Sequence, residues 1–248
     1  MGNPERGVTA DLAPMVRRGL GLDDLQVAYQ PIVDVRTGSI FAYEALLRSS
    51  DARFVSPPKV IAQSIDKELC GELGRVVREL AIEGCRHHPL FMNIHPREFD
   101  DGWIVRPDDP VFRHPHSVFI EVTESVPLSH ENHCRGVLAE IRDKGIQLAV
   151  DDLGAGYSNL MYIADLVPDI VKLDREMVRS VARGQRAHRF LKQVVSLCHE
   201  MGARVVAEGV ETEDELRGAR EAGADFVQGF LIAGPEARPH QPDVARFT

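Results

Sequence analysis

Seven short apolar runs, most of them separated by a helical pattern, constrain the fold of this 248-residue chain more than any other feature. A polar residue follows each run directly, where a strand is expected to end. Strands that alternate with helices predict a β/α barrel, and the carboxyl ends of barrel strands meet on one catalytic face. We therefore expect seven polar side chains to converge there: Glu44, Asn93, Glu121, Asp151, Lys172, Glu208 and Gln228.

The start of the barrel is expected to be irregular. Strands are predicted over residues 25–33 and 39–47, and only a short segment containing Thr37 and Gly38 joins them. A parallel crossover needs about a dozen residues or more, so this connection predicts an antiparallel hairpin. About 250 residues is typical of one barrel, and no Pro-, Gly- or Ser-rich linker divides the chain. We assign residues 1–24 to an N-terminal lead-in helix and residues 25–248 to the barrel domain.

Composition excludes several classes of function. The net charge of −9 argues against binding to DNA or RNA polymers by phosphate neutralisation. The sequence contains no apolar run long enough to span a bilayer, so no membrane interaction is expected. The four cysteines form no CxxC pair, which favours reduced, buried thiols in a soluble cytoplasmic protein.

The pair Asp151-Asp152 is the strongest candidate for a metal site. It follows an apolar strand and precedes Gly154-Ala155-Gly156. Four carboxylates that converge without cations would repel one another, and two divalent cations bridged by a carboxylate are common in phosphoester hydrolysis. A turn or a helix cap is the alternative for an isolated Asp pair. The glycines do not match a dinucleotide-binding loop, because Asn159 stands at the third glycine position.

Three further positions carry charge near the predicted strand ends. Lys172 lies between apolar neighbours and needs a carboxylate partner if it is buried, although it could also lie on the barrel exterior. Glu124 lies three residues after Glu121 and is either a loop anchor or a solvated side chain. Glu211 lies three residues after Glu208 and could instead be an acidic residue at a helix N-terminus.

Taken together, these motifs resemble the EAL-domain family of cyclic di-GMP phosphodiesterases. The resemblance covers about residues 25–235, and the complete set of motifs in order is far more specific than any one of them. The matching segments are Tyr29-Gln30-Pro31-Ile32-Val33, Glu44-Ala45-Leu46-Leu47-Arg48, Asn93, Glu121-Val122-Thr123-Glu124, Asp151-Asp152-Leu153-Gly154-Ala155-Gly156-Tyr157-Ser158, Lys172-Leu173-Asp174, Ala207-Glu208-Gly209-Val210-Glu211 and Gln228-Gly229.

The resemblance implies a fold, an activity and a set of roles. The fold would be α/β, a modified TIM-like (β/α)8 barrel with its first strand antiparallel. The activity would be hydrolysis of cyclic di-GMP to linear pGpG with two divalent cations, Mg²⁺ or Mn²⁺, and Ca²⁺ would inhibit. One cation would be held by Glu44, Asn93, Glu121 and Asp151, and the other by Asp151, Asp152 and Glu208. Lys172, Glu208 and Glu211 would be catalytic, Gln30, Leu46, Arg48 and Gln228 would bind substrate, and Glu124 would steady the loop at residues 153–158.

Two departures from the family pattern remove no ligand: Leu153 stands where Phe is usual, and His95 stands where Ser is usual. The resemblance also implies a homodimer formed near residues 158–166, and a regulatory partner could supply control. Two alternatives stay open. One is a catalytically silent cyclic di-GMP receptor that relays the signal to a protein partner. The other is a barrel lyase or racemase that uses Lys172 as a base with one Mg²⁺.

Overall fold

The computed structural model describes residues 7–22, 24–50, 56–100, 102–123, 131–155, 161–242 and 247. Within these residues, eight strands close into a barrel in chain order. The first strand pairs antiparallel with the second and the eighth, and the other neighbouring pairs are parallel. This confirms the predicted barrel with an antiparallel first strand. The strands are β1 Gln26–Asp34, β2 Ile40–Arg48, β3 Leu90–Asn93, β4 Val118–Thr123, β5 Gln147–Leu153, β6 Ile170–Leu173, β7 Arg204–Ala207 and β8 Phe226–Val227.

Helices surround the barrel and bury apolar stripes against it. In α8, for example, Leu191, Val194, Val195 and Cys198 recur at helical spacing and are buried. No helix in the described part of the chain has the length and apolarity needed to cross a membrane. The helices are α1 Gly7–Leu20, α2 Pro57–Asp66, α3 Cys70–Gly84, α4 Pro96–Asp100, α5 Glu131–Asp143, α6 Met161–Leu166, α7 Arg175–Arg179, α8 Gln185–Glu200 and α9 Glu213–Ala222.

Short helical turns depart most from the sequence prediction. Residues 96–115 are rich in Pro, Asp and His and show no helical period, yet they contain α4 and a 3₁₀ turn at Pro110–Arg113. Each begins with proline, which suits a first helical turn because its missing N–H would be unpaired there anyway. Helix α7 is not predicted by the sequence pattern, because five residues are too few to show a period.

One layer of apolar side chains fills the lower part of the barrel. Phe41 stacks on Phe226 with ring centroids 3.9 Å apart, and Phe91 stacks on Phe119 at 4.2 Å. The buried members of this layer come one from each strand: Ile32, Ala42, Phe91, Phe119, Ala149, Ile170, Val206 and Phe226. Because alternate residues of a strand share a face, the residue two positions further toward the catalytic end must also point inward.

Glu44 corrects one element of the sequence prediction. The pattern of apolar runs placed it at a strand end, but it lies in the middle of β2, which continues to Arg48, as the predicted strand over residues 39–47 implies. Glu121, Asp151 and Lys172 likewise lie one or two residues before the ends of β4, β5 and β6. The strand is long because β1 pairs with it along almost its whole length, with Glu44 opposite Gln30. Strand β3, by contrast, pairs only with Tyr43 to Ala45, so Glu44 still lies level with the upper ends of the parallel strands.

Candidate active site and metal centre

Eight polar side chains form a second layer directly above the apolar one. Each lies two residues beyond an apolar-layer residue in the direction of the catalytic face; on antiparallel β1 that step runs backward, from Ile32 to Gln30. Because alternate side chains of a strand point inward, all seven residues predicted at strand ends lie together inside the barrel. The polar layer consists of Gln30, Glu44, Asn93, Glu121, Asp151, Lys172, Glu208 and Gln228.

Lys172 lies at the centre of this layer and is 1% exposed. Its Nζ lies 2.5 Å from Glu121 Oε1 and 2.7 Å from Glu208 Oε1. Asp151 Oδ1 follows at 3.2 Å and Glu44 Oε2 at 3.4 Å. The alternative in which Lys172 lies on the barrel exterior is therefore wrong.

The polar layer holds more negative than positive charge. Four carboxylates contact a single ammonium group, and burial makes that imbalance costly. Burial, together with the neighbouring Glu44, raises the pKa of Glu121 well above its ordinary value, although Lys172 opposes the shift. Burial raises the pKa of Glu208 in the same direction. Burial alone would lower the pKa of Lys172, but the surrounding carboxylates outweigh it and raise that pKa.

Side-chain amides fix the orientation of Glu44. Asn93 Nδ2 donates to Glu44 Oε1 at 3.2 Å and to Glu121 Oε2 at 2.8 Å. Gln228 Nε2 donates to Glu44 Oε2 at 2.6 Å and to Gln30 Oε1 at 3.1 Å. Gln30 Nε2 in turn donates to the carbonyl of Ala233. Both oxygens of Glu44 are therefore held before any ligand binds.

The Asp pair reaches the site through an irregular strand end. The β5–β6 register shifts between Val150 and Leu153, and Asp152 has a left-handed φ of 58°. This turn directs both carboxylates toward Glu208, so one oxygen each of Asp151, Asp152 and Glu208 lies within 4.8 Å of the others. Oxygen ligands at this spacing suit a divalent cation.

Three observations test whether divalent cations fit this centre. The donor set is carboxylate and amide oxygen, which Mg²⁺ and Mn²⁺ prefer. Burial and then the neighbouring carboxylates raise the pKa values of Glu121 and Glu208, and a bound cation would offset both effects. The buried Oε1 of Gln228, whose Nε2 donates to Glu44, has no hydrogen-bond partner among the described residues, which leaves an unsatisfied acceptor in the polar layer. The residues fit the cations that the sequence analysis implies.

Substrate-binding candidates lie beside the polar layer. Leu46 and Arg48 line a mostly apolar cavity of about 330 Å³ that also reaches Asn93 and Ile94. Arg48 Nη1 donates to the carbonyl of Leu47 at 2.8 Å. Their roles toward a ligand stay predictions.

Other predicted residues lie further from Lys172 or outside the described residues. The Glu211 carboxylate pairs with Arg179 at 2.7 Å, and its catalytic role stays a prediction. Leu153 is fully buried in a core cluster with Ile163 and Val178. Glu124 lies outside the described residues, as do positions 158–160 of the predicted dimer segment.

One buried charged network was missed by the sequence analysis. Arg78 contacts both Glu98 and Asp109, and the three side chains are 0–3% exposed. The spacing of Glu98 three residues after His95, with Pro96 between them, is the signal that could have indicated a helix start. Nothing in the local sequence indicates that Arg78 and Asp109 lie nearby.

The barrel and its polar layer define a class of protein, which comparison with known proteins identifies. The model of the EAL domain family matches residues 13–235. The chain therefore belongs to the EAL domain family, and the resemblance inferred from the motifs is confirmed.

Relatives and solved structures agree with this assignment. Cyclic di-GMP phosphodiesterase PA2567 of Pseudomonas aeruginosa is 31% identical over 238 residues, which cover 90% of this chain and 40% of that protein. The manganese/cy-diGMP complex of Klebsiella pneumoniae BlrP1 at pH 9.0 is 32% identical, with a TM-score of 0.73, and covers 86% of this chain and 56% of that one. The c-di-GMP complex of the PaMucR phosphodiesterase is 25% identical, with a TM-score of 0.74, and covers 91% and 97% of the two chains. The chain spans less than half the length of the curated relatives it matches.

Proposed function

We propose that this chain hydrolyses one phosphodiester bond of cyclic di-GMP to give linear pGpG, using two divalent cations, Mg²⁺ or Mn²⁺. The observation that carries the proposal is the polar layer, in which a full set of oxygen ligands surrounds one buried lysine. Two relatives support the substrate, since one is a cyclic di-GMP phosphodiesterase and the structure of the other is a manganese/cy-diGMP complex.

The ligands divide into two groups around Asp151. Glu44, Asn93, Glu121 and Asp151 would hold one cation, and Asp151, Asp152 and Glu208 would hold the other. When bound, the cations would supply a hydroxide nucleophile from water and neutralise charge on the phosphate. Cation binding would also relieve the repulsion among carboxylates that Lys172 alone does not balance.

Lys172 would act as a hydrogen-bond donor rather than as a base. In the metal-free site, burial lowers the pKa of Lys172 but its four carboxylate partners outweigh that effect and raise it, which favours the protonated ammonium. A fixed ammonium inside a buried site can hold an attacking water in place and stabilise negative charge that develops on the phosphate. The barrel lyase or racemase alternative needs a neutral lysine and is therefore disfavoured.

Side chains at the rim would bind the substrate. Arg48 and Leu46 line the cavity beside Asn93, and a guanidinium there can contact a phosphate. Gln30 and Gln228 are hydrogen-bonded to each other, and the second N–H of the Gln30 amide and the Oε1 of Gln228 would bind the ligand. Glu211 would support the water network next to Glu208.

A direct assay tests the function. Purified chain is incubated with cyclic di-GMP and Mg²⁺ or Mn²⁺, and the products are resolved by chromatography. We expect pGpG, no turnover in excess chelator, and loss of activity in Glu121→Gln. Glu140→Gln is the matched control, because Glu140 is half exposed and pairs only with Lys144 in the described structure. Calorimetry that shows tight cyclic di-GMP binding without product would instead indicate the silent receptor.

Calcium provides a second test. Ca²⁺ accepts six to eight ligands at about 2.3–2.6 Å, whereas Mg²⁺ requires near-octahedral geometry at about 2.0–2.1 Å. We therefore expect Ca²⁺ to bind the centre and inhibit hydrolysis. Full activity with Ca²⁺ as the sole cation would contradict a geometry-sensitive pair of cations.

We also propose that the chain forms a homodimer near residues 158–166, with activity linked to assembly. The sequence Leu160-Met161-Tyr162-Ile163 is more apolar than one barrel-facing stripe requires. Tyr162→Glu should weaken association by placing charge in an apolar contact. Light scattering over a concentration series, paired with assays of the same samples, tests the link. A fully active monomer at high concentration would contradict it.

A further inference from the structure

A buried network of charges lies directly behind the end of β3. Arg78 from α3 binds Asp109 through two groups, with Nη2 to Oδ2 at 2.7 Å and Nε to Oδ1 at 3.1 Å. Its third contact is Nη1 to Glu98 Oε2 in α4. The three side chains are 2%, 0% and 3% exposed, respectively. Charges that are buried this completely need nearly ideal geometry to be tolerated, so the network holds its members in fixed positions.

The second oxygen of Glu98 binds the turn that leaves the metal centre. Glu98 Oε1 accepts a hydrogen bond from the backbone N–H of His95 at 3.1 Å, and the N–H of Glu98 donates to the His95 carbonyl at 2.9 Å. His95 Nδ1 accepts from the N–H of Arg97 at 3.2 Å. The turn contains one half of a capping box, with His95 at the N-cap position and Glu98 three residues later, whereas the His95 ring accepts from the N–H of Arg97 and not from that of Glu98.

The turn is short and joins the cap directly to Asn93. Only Ile94 separates Asn93 from His95, and its N–H donates to the carbonyl of Glu121 on β4. Asn93 Nδ2 in turn reaches both Glu44 and Glu121. A change in the direction of this turn must therefore move the Asn93 amide relative to the two carboxylates.

The packing around Glu98 leaves no second place for its carboxylate. A Cβ at Gly74 in α3 would overlap the carboxylate of Glu98, so glycine makes room for the charge against the helix. Arg78 fixes one oxygen and the His95 N–H fixes the other. Glu98 therefore connects the buried network to the turn. Among the described residues, the Asp109 carboxylate is hydrogen-bonded to Arg78 and to the N–H of Val111 in its own 3₁₀ turn, not to the turn at His95.

We propose that Glu98, anchored by Arg78, is a positioning residue that sets the orientation of Asn93 and thereby the affinity of the cation site that Asn93 helps to form. The proposal rests on the proposed function only in assigning Asn93 to a cation site. Residues that orient metal ligands typically alter metal affinity by about 10–100-fold when they are changed. Glu98 is not one of the proposed cation ligands, but it lines the same cavity as Arg48, so its effect on the cation site is measured by metal binding in the absence of substrate.

Glu98→Gln tests the proposal with little change in volume. Glutamine has one acceptor oxygen where glutamate has two, so it cannot accept from both Arg78 Nη1 and the His95 N–H. The charge-assisted bond to Arg78 is the stronger one, and the turn should lose its acceptor. Asp109→Asn is the matched control, because it also removes one buried negative charge from Arg78 and leaves the turn intact. Glu98→Asp serves as a second variant, because it keeps the charge and withdraws it by one methylene from His95.

Three measurements separate a positioning role from a structural one: Mn²⁺ binding by calorimetry, thermal unfolding without metal, and kcat and KM with cyclic di-GMP. We expect Glu98→Gln and Glu98→Asp to weaken Mn²⁺ binding by about tenfold or more. Asp109→Asn should lower the melting temperature about as much as Glu98→Gln while Mn²⁺ binding stays within about twofold of wild type.

The outcomes are distinct. Wild-type Mn²⁺ affinity in both Glu98 variants would overturn the proposal, and so would an equal loss of affinity in Asp109→Asn. If the wild-type chain binds Mn²⁺ but hydrolyses no cyclic di-GMP, the proposed function fails. A selective loss of Mn²⁺ binding in the Glu98 variants would still support the positioning role in that case.

Discussion

Replacing Lys172 with methionine should destabilise the metal-free protein strongly. The variant keeps the length of the side chain but removes the one cation that contacts Glu44, Glu121, Asp151 and Glu208 in the described structure. Removing one partner of a buried ion pair costs about 3–5 kcal/mol, because it leaves uncompensated charge behind. For a chain of this size, 1 kcal/mol corresponds to about 2–4 °C in Tm, so the expected loss is about 6–20 °C.

Thermal unfolding followed by circular dichroism, in chelator and then in Mn²⁺, measures the effect. Divalent cations supply the positive charge that the variant lacks, so Mn²⁺ should raise the Tm of Lys172→Met more than that of wild type. At 100 times the dissociation constant, a bound ligand adds about 2.7 kcal/mol to the free energy of unfolding. The variant should have no activity even in Mn²⁺, because the cation restores positive charge but not the hydrogen-bond donor that Lys172 provides.

The pH dependence follows from the raised pKa values of Glu121 and Glu208. A carboxyl whose pKa is higher in the folded state binds more protons there than in the unfolded chain. Its contribution to stability is therefore fully present below the ordinary pKa of 4.5 and is lost as pH rises through the folded value. In chelator, wild type and Lys172→Met should both become more stable as pH falls toward 4.5. At lower pH, protonation of other carboxylates should reverse the gain.

Lys144→Met is the matched control, because Lys144 is partly exposed and its Nζ makes surface contacts, an ion pair with Glu140 at 2.9 Å and a hydrogen bond to the carbonyl of Val105 at 2.6 Å. Such pairs contribute about 0–1 kcal/mol, so its Tm should fall by no more than about 4 °C. A Tm for Lys172→Met equal to that of the control would refute the account of the polar layer as a site with a deficit of positive charge.

Three further predictions concern the site and the core. Asp151→Asn should cut turnover by about 100-fold or more, because a neutral amide bridges two cations poorly, and near wild-type kcat would remove Asp151 from the bridge. Arg48→Ala should raise KM more than it lowers kcat, since it removes a contact made in both the ground state and the transition state; an unchanged KM would place Arg48 outside the substrate site. Burial raises the pKa of Cys85 and of Cys198 to about 11, so iodoacetamide at pH 8 should label both only after denaturation, as peptide mass spectrometry can show.

The sequence by itself determined the barrel, its hairpin start and the membership of the polar layer. These features depend on local or periodic patterns. A short connection forces β1 and β2 to be antiparallel. Because side chains alternate along a strand, Asn93 lies above Phe91 and Glu121 lies above Phe119. The motifs also indicated the EAL domain family, and the match of the family model to residues 13–235 confirms it.

Only the tertiary structure decided how these residues contact one another. No spacing along the chain predicts that four carboxylates converge on the ammonium of Lys172, because each partner comes from a different strand. Glu44 lies inside β2 rather than at its end, since the length of that strand depends on pairing with β1. The network of Arg78, Glu98 and Asp109 was missed for the same reason. Its members are 11 to 31 residues apart in sequence and meet only when helices pack against the barrel. The position of these buried charges therefore depends on long-range packing and not on the local sequence pattern.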